Sequence, residues 1–189
     1  MTKLGDMFRI GQSVPFARVV WEYRHDFTFA NRPDLRCQYG DAEDSTDTGI
    51  RLAILEELNK PSPPLNLIWR YEELTREVVA RSRLPWKTEP LVHDLITRMQ
   101  TEDRQRLASE LGISIGSFDK IVRLADANNC GRGAEYGNTI LVRQSDGEYK
   151  IYEGSHRICA LWKQCVHNWP SSLGAFVGFE NPDFIRSDV

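Results

Sequence analysis

Glu153-Gly154-Ser155-His156-Arg157 sets a carboxylate, a glycine, a hydroxyl, an imidazole and a guanidinium in five consecutive positions. Together they suit an anion, most simply a phosphate: the cations balance its charge and the hydroxyl donates to it. The elements around them supply the position. Asp146-Gly147 is a hairpin-turn dipeptide, with the β-branched, apolar run Thr139–Arg143 before it. After it, Tyr149, Ile151 and Glu153 alternate with Lys150 and Tyr152, a strand period. Gly154 permits a backbone approach that a side chain would hinder. Ser155 is expected to cap a helix whose buried face carries Ile158, Leu161, Trp162 and Cys165. The first N–H groups of that helix have no intrahelical partner, and its dipole end is positive. A phosphate site at its start is the chemical expectation.

Glu153–Arg157, with Ala160 three residues on, resembles the signature of the ParB/sulfiredoxin superfamily. Sulfiredoxins carry Gly-Gly-Cys-His-Arg at this turn, and the ParB-like free-serine kinases carry Asp-Gly-His-His-Arg. The resemblance covers roughly residues 117–178. It implies a nucleotide phosphate lying on the turn at Gly154, Ser155, His156 and Arg157. Activities in the superfamily include CTP hydrolysis with DNA clamping, phosphoryl transfer from ATP or ADP, and nuclease activity. Sulfiredoxins also carry a lysine and hydroxyl residues on the helix before the hairpin. Here Lys120 falls at the lysine position, and Arg123 and Ala127 at the hydroxyl positions. Lys120 and Arg123 are three apart, hence on one helix face, where they could add countercharge. Ser155 stands where sulfiredoxins have their catalytic cysteine, so sulfinic acid repair is not expected. Glu153 stands where the serine kinases have a carboxylate, which could hold Mg²⁺ or act as base. Glu89 is an outside candidate for that role, and its ordinary role is a negative charge at a helix start.

Residues 104–123 also carry the pattern of a helix-turn-helix. Ala108 would sit where the helices cross, Gly112 in the turn, and Phe118 and Ile121 inward. Ser114, Ser117 and Lys120 would then be the DNA-facing donors. Arg104, Arg106, Lys120 and Arg123 are set against Asp103, Glu110 and Asp119, a thin positive excess for a DNA face.

With 189 residues, 41% of them apolar, the chain has ample material for a globular core. A net charge of −3 argues against nonspecific coating of nucleic acid. No apolar run is long enough to span a membrane, and Met1–Asp6 lacks a signal-peptide core. Cys37, Cys130, Cys159 and Cys165 form no C-x-x-C pair. Cys159 and Cys165 are expected to be buried thiols, and a reducing cytoplasm is the expected setting.

Along the chain, residues 17–24 favour a strand, with Phe27-Thr28-Phe29 as a candidate partner. Residues 31–48 read as an acidic loop. Thr48 is expected to cap a helix over Gly49–Leu58, and Pro61–Pro64 mark a boundary. A strand is expected over Leu65–Trp69 and a helix over Tyr71–Arg83. Further helices are expected from a Thr88 cap, from Thr101–Asp103 to Gly112, and from Ser114 or Ser117 to about Asn129. Ala175–Phe179 reads as the last strand. His93 and His25 read as structural.

These readings converge on an α+β protein. A small mixed sheet packed by helices, of ParB/sulfiredoxin type, is expected over residues 65–189, and residues 1–64 form an N-terminal extension. The extension could supply substrate specificity or the surface of a homodimer. The expected activity is Mg²⁺-assisted phosphoryl transfer, kinase-like or nucleotide-hydrolysing, using ATP, ADP or CTP. Glu153 and His156 are the catalytic candidates, and Glu153 the candidate Mg²⁺ ligand. The acceptor is a small molecule or a nucleic acid. The alternatives are a DNA-binding regulator built on 104–123 and a ParB-like nuclease.

Overall fold

In the computed structural model the described residues are 8–21, 48–57, 63–127, 139–170 and 173–181. Their elements run β1 (Gln12–Ser13), α1 (Phe16–Trp21), α2 (Thr48–Glu57), β2 (Leu67–Glu73), α3 (Arg76–Ala80) and β3 (Ser82–Arg83). Then follow α4 (Val92–Thr101), α5 (Arg104–Leu111), α6 (Ile115–Ala127), β4 (Ile140–Arg143), β5 (Tyr149–Glu153), α7 (Ser155–Cys165) and β6 (Gly174–Glu180). The protein is α+β, with one mixed six-stranded sheet in the order β1-β2-β6-β4-β5-β3.

The central strands explain the layering. Ile140, Leu141 and Val142 are all buried, and so are Ala175, Phe176 and Val177. Continuous apolar runs of this kind belong to strands covered on both faces. Leu141, Ala175 and Val177 join Leu95, Leu107, Phe118, Ile121, Ile158 and Leu161 from α4–α7 in one cluster. Ile140, Val142 and Phe176 join Val19 of α1, Ile54 and Leu55 of α2, and Trp69 and Tyr71 of β2 in the other. The described part of residues 1–64 therefore builds β1 and the helices on the second face of the sheet. β4 runs parallel to β6 and antiparallel to β5, so the β4–β5 hairpin lies beside the sheet centre.

Several boundaries differ from the sequence expectation. Residues 16–21 are helical, not a strand. Arg18 and Val19 donate backbone bonds to Pro15 O, and Val19 and Val20 are fully buried, so tertiary burial overrides the β propensity. Residues 71–83 are not one helix. β2 continues to Glu73 because it pairs with β6 along its whole length, Leu67 opposite Glu180 through Glu73 opposite Gly174. A single short turn of helix, capped by Thr75 Oγ1 onto Val78 N at 3.2 Å, then leads into β3. The helix predicted from Thr88 starts at Val92, with Leu91 as an N-cap that lends no side-chain bond. The candidate strand at 27–29 and the acidic residues of 31–47 lie outside the described residues, as does His25.

Candidate functional site

The hairpin that leads into the site is closed locally. Gly147, at φ 80°, donates to Gln144 O at 3.0 Å, and Gln144 N donates to Glu148 O at 2.8 Å. Asp146 Oδ1 accepts from Glu148 N at 2.8 Å. β5 then runs to Glu153, which pairs across with Ile140. Gly154 follows in the left-handed region, φ 91°, ψ 16°, and is buried. A Cβ there would lie 2.8 Å from Thr139 Oγ1 and 3.3 Å from Thr139 Cα. Both the backbone angle and the close approach require glycine.

Gly154, not Ser155, is the N-cap of α7, and no side chain makes a cap bond there. This corrects the expected role of Ser155. The strand ends so abruptly that the left-handed residue itself turns the chain into the helix, and Ser155 is already the first helical residue. The ladder begins with Ile158 N donating to Gly154 O at 2.9 Å. Ser155, His156 and Arg157 make up the turn ahead of that bond, where helix geometry provides no intrahelical acceptor for the N–H groups.

Arg157 Nη2 donates to Glu153 Oε1 at 3.1 Å, and the two side chains are only 22% and 16% exposed. The pair spans the strand–helix junction. It holds the guanidinium at the helix start and ties the Glu153 carboxylate to it. His156 is half-buried, with its ring 6.1 Å from that of Trp86 at 56°. The structure thus brings Glu153, Gly154, Ser155, His156 and Arg157 together, and adds Trp86, which sequence reasoning did not single out. Trp86 sits on the β3–α4 loop. That loop is held by Leu84 N to Pro90 O at 3.0 Å, Glu89 N to Trp86 O at 2.8 Å and Lys87 N to Leu111 O at 3.0 Å. A lone aromatic between Pro85 and Pro90 is a weak local sign of it.

Glu89 does not head α4. It lies in the same loop at φ 43°, and its Oε1 accepts from Lys150 Nζ at 2.7 Å. His93 is tied down as expected of a structural histidine, its Nδ1 3.0 Å from Ala80 O and its Nε2 3.0 Å from Asp94 Oδ1. Cys159 is a free, fully buried thiol, and burial pushes its ionisation up, so it offers no thiolate to the turn. Cys165 is disulfide-bonded, which corrects the expectation of a second thiol.

Lys120 and Arg123 are exposed. On a helical wheel they point away from Phe118, Ile121 and Ala125, the α6 residues that pack with α7 in the core. Among the described residues no hydrogen bond or ion pair links either to the Ser155 turn. The α5–α6 corner has the expected local form. Gly112 ends α5 at φ 66°, Ala108 is buried where the helices meet, and Phe118 and Ile121 point inward. Ser114 Oγ lies 3.4 Å from Ser117 Oγ at the start of α6. Asp119, which would repel phosphates, lies 3.5 Å from Arg104 Nη1.

Among the described residues no group of three or more His, Cys, Asp or Glu side chains is placed to hold a metal. Glu153 is itself engaged by Arg157. No helix of the described residues is long and apolar enough to cross a membrane. No protein-family model matches the chain, and neither the curated proteins nor the solved structures contain a match.

Proposed function

We propose that the chain is a ParB/sulfiredoxin-like protein that binds a nucleotide phosphate at the start of α7 and uses it in phosphoryl transfer, kinase-like or hydrolytic. The observation that carries this reading is the form of that helix start: a left-handed, buried Gly154, no side-chain cap, and Arg157 anchored by Glu153. Backbone N–H groups and the dipole attract the phosphate, and Ser155 donates to it. Arg157 and His156 offset charge that develops on the transferring group. Glu153 positions Arg157 and serves as base or as the carboxylate that would hold Mg²⁺. The ion, when bound, would neutralise phosphate charge. Lys120 and Arg123, on the outer face of α6, meet the phosphates only if the ligand extends that far.

A panel of ATP, ADP and CTP, with and without Mg²⁺, tests binding through the shift in melting temperature. Glu153→Gln keeps a hydrogen bond to Arg157 and removes the charge. It is expected to lower phosphoryl transfer by about 10²–10⁴-fold while largely retaining nucleotide binding. Full activity in Glu153→Gln sinks the catalytic role.

A second reading rests on the α5–α6 corner. The left-handed Gly112, the buried Ala108 and the Arg104–Asp119 pair favour a DNA-reading face carrying Ser114, Ser117 and Lys120. Tight duplex binding that falls steeply with salt and with Lys120→Ala would favour it over phosphoryl transfer.

A further inference from the structure

Two hollows flank α4, and they differ in chemistry. One is lined by Thr88, Pro90, Asp94, Thr97, Arg98 and Glu110. Its polar groups answer one another, since Arg98 is forked onto Glu102 and Glu110 at 2.6–3.0 Å. The other has a volume of about 380 Å³ and is lined by Ile96, Met99 and Gln100 of α4, Arg104 of α5, Val122 of α6 and Lys163 of α7.

The second hollow follows from the break between α4 and α5. Glu102 is extended, φ −108°, ψ 158°, which ends α4 and turns the chain into α5. α6 and α7 supply the remaining walls. The floor is apolar: Ile96 and Met99 are buried and Val122 is half-buried. The rim is cationic. Among the described residues, Lys163 is exposed with no ion-pair or hydrogen-bond partner, and Arg104 pairs with Asp119 at 3.5 Å. The carboxylates of Glu102 and Glu110 are engaged by Arg98. A concave site of this size, with apolar side chains at its base and Gln100, Arg104 and Lys163 as polar lining, has the form of a small-molecule pocket.

We propose that this groove binds a small organic anion with an apolar body, a carboxylate whose head lies between Lys163 and Arg104 and whose chain lies over Met99, Ile96 and Val122. Methionine suits such a floor because its unbranched, polarisable side chain adapts to the shape it meets. The groove is distinct from the α7 start: Lys163 is two turns beyond Ser155, roughly 12 Å along the helix axis. The inference does not rest on the phosphoryl-transfer reading.

The chain has three methionines, so ¹³C-methyl labelling gives few signals, and Met99→Leu identifies the one that matters. Decanoate, added below its micelle concentration to the full chain, is expected to shift the Met99 methyl saturably. Decyltrimethylammonium, of the same chain length and opposite charge, is expected not to. Lys163→Glu, at an exposed position that leaves the fold intact, is expected to weaken decanoate by about tenfold or more, the scale of a lost charge-assisted bond. Equal shifts by both amphiphiles would reduce the groove to an apolar patch and overturn the proposal. So would an unmoved Met99 signal, or unchanged decanoate affinity in Lys163→Glu.

Discussion

α5 and α7 begin within one protein in two different ways. At α5, Asp103 caps the helix and its Oδ1 accepts from Arg106 N at 2.8 Å. The Arg98 guanidinium, bonded to both Glu102 and Glu110, then clamps α4 to α5. Asp103, Arg98, Glu102 and Glu110 at that corner are each answered by another side chain or by the helix itself. At α7 the cap position is a glycine with no side chain, and the nearby charges, Glu153 and Arg157, hold each other at the mouth of the helix. A side-chain cap satisfies a helix end at the least cost in design, contributing about 1 kcal/mol. The α7 start forgoes the cap and places a half-buried cation beside the N–H groups, the form on which the proposed phosphate site rests. The contrast is between a helix start closed by its own side chain and one whose cap position carries none.

The largest expected effect comes from filling the glycine. Gly154→Ala places a side chain at φ 91° and 2.8 Å from Thr139 Oγ1. The left-handed strain alone costs about 1–2 kcal/mol, and the contact adds to it. Denaturant unfolding should show that loss, and nucleotide binding should fall with it. A variant as stable as the parent would show that the turn tolerates a Cβ.

Next come two substitutions that sharpen the contrast between the starts. Asp103→Ala removes a working cap and should cost about 0.5–2 kcal/mol of stability without touching nucleotide affinity. Ser155→Ala removes a hydroxyl that makes no cap bond, so it should leave stability within about 0.5 kcal/mol and weaken phosphate binding. The reverse pattern in melting and titration data would erase the distinction.

The smallest effect is a pH dependence. Hydrogen bonds from Arg98 hold Glu102 and Glu110 below the usual carboxylate range. With the folded-state ionisation lowered, their contribution is present above the unfolded value and is lost as pH falls through the folded one. Thermal unfolding of Arg98→Ala should therefore lie below wild type at neutral pH and converge with it in acid. Parallel curves at all pH values would show that the clamp contributes nothing.

Much of this could be read along the chain. Asp146-Gly147 forces a hairpin and Gly112 stops α5 because both glycines sit at positive φ, and the apolar spacing of α7 is local. The strand–glycine–helix order of the site was legible for the same reason. The helix at 16–21 was not, since Val19 and Val20 favour strands until the far side of the sheet buries them. Tyr71–Arg83 was misread because pairing with β6, distant in sequence, keeps β2 extended. Within the site, Glu153 and Arg157 were both visible, but their pairing depends on the angle between β5 and α7. Trp86 beside His156 is a contact across the chain that no local pattern reports.

The central claim is that the start of α7 is a phosphate site, and backbone amide shifts test it most directly. ADP and inorganic pyrophosphate would be titrated into ¹⁵N-labelled wild type and Arg157→Ala. Saturable shifts centred on the amides of Ser155, His156 and Arg157 are predicted, with affinity reduced by about 1.5–3 kcal/mol in folded Arg157→Ala. Shifts centred elsewhere, or affinity unchanged in the variant, would contradict the account.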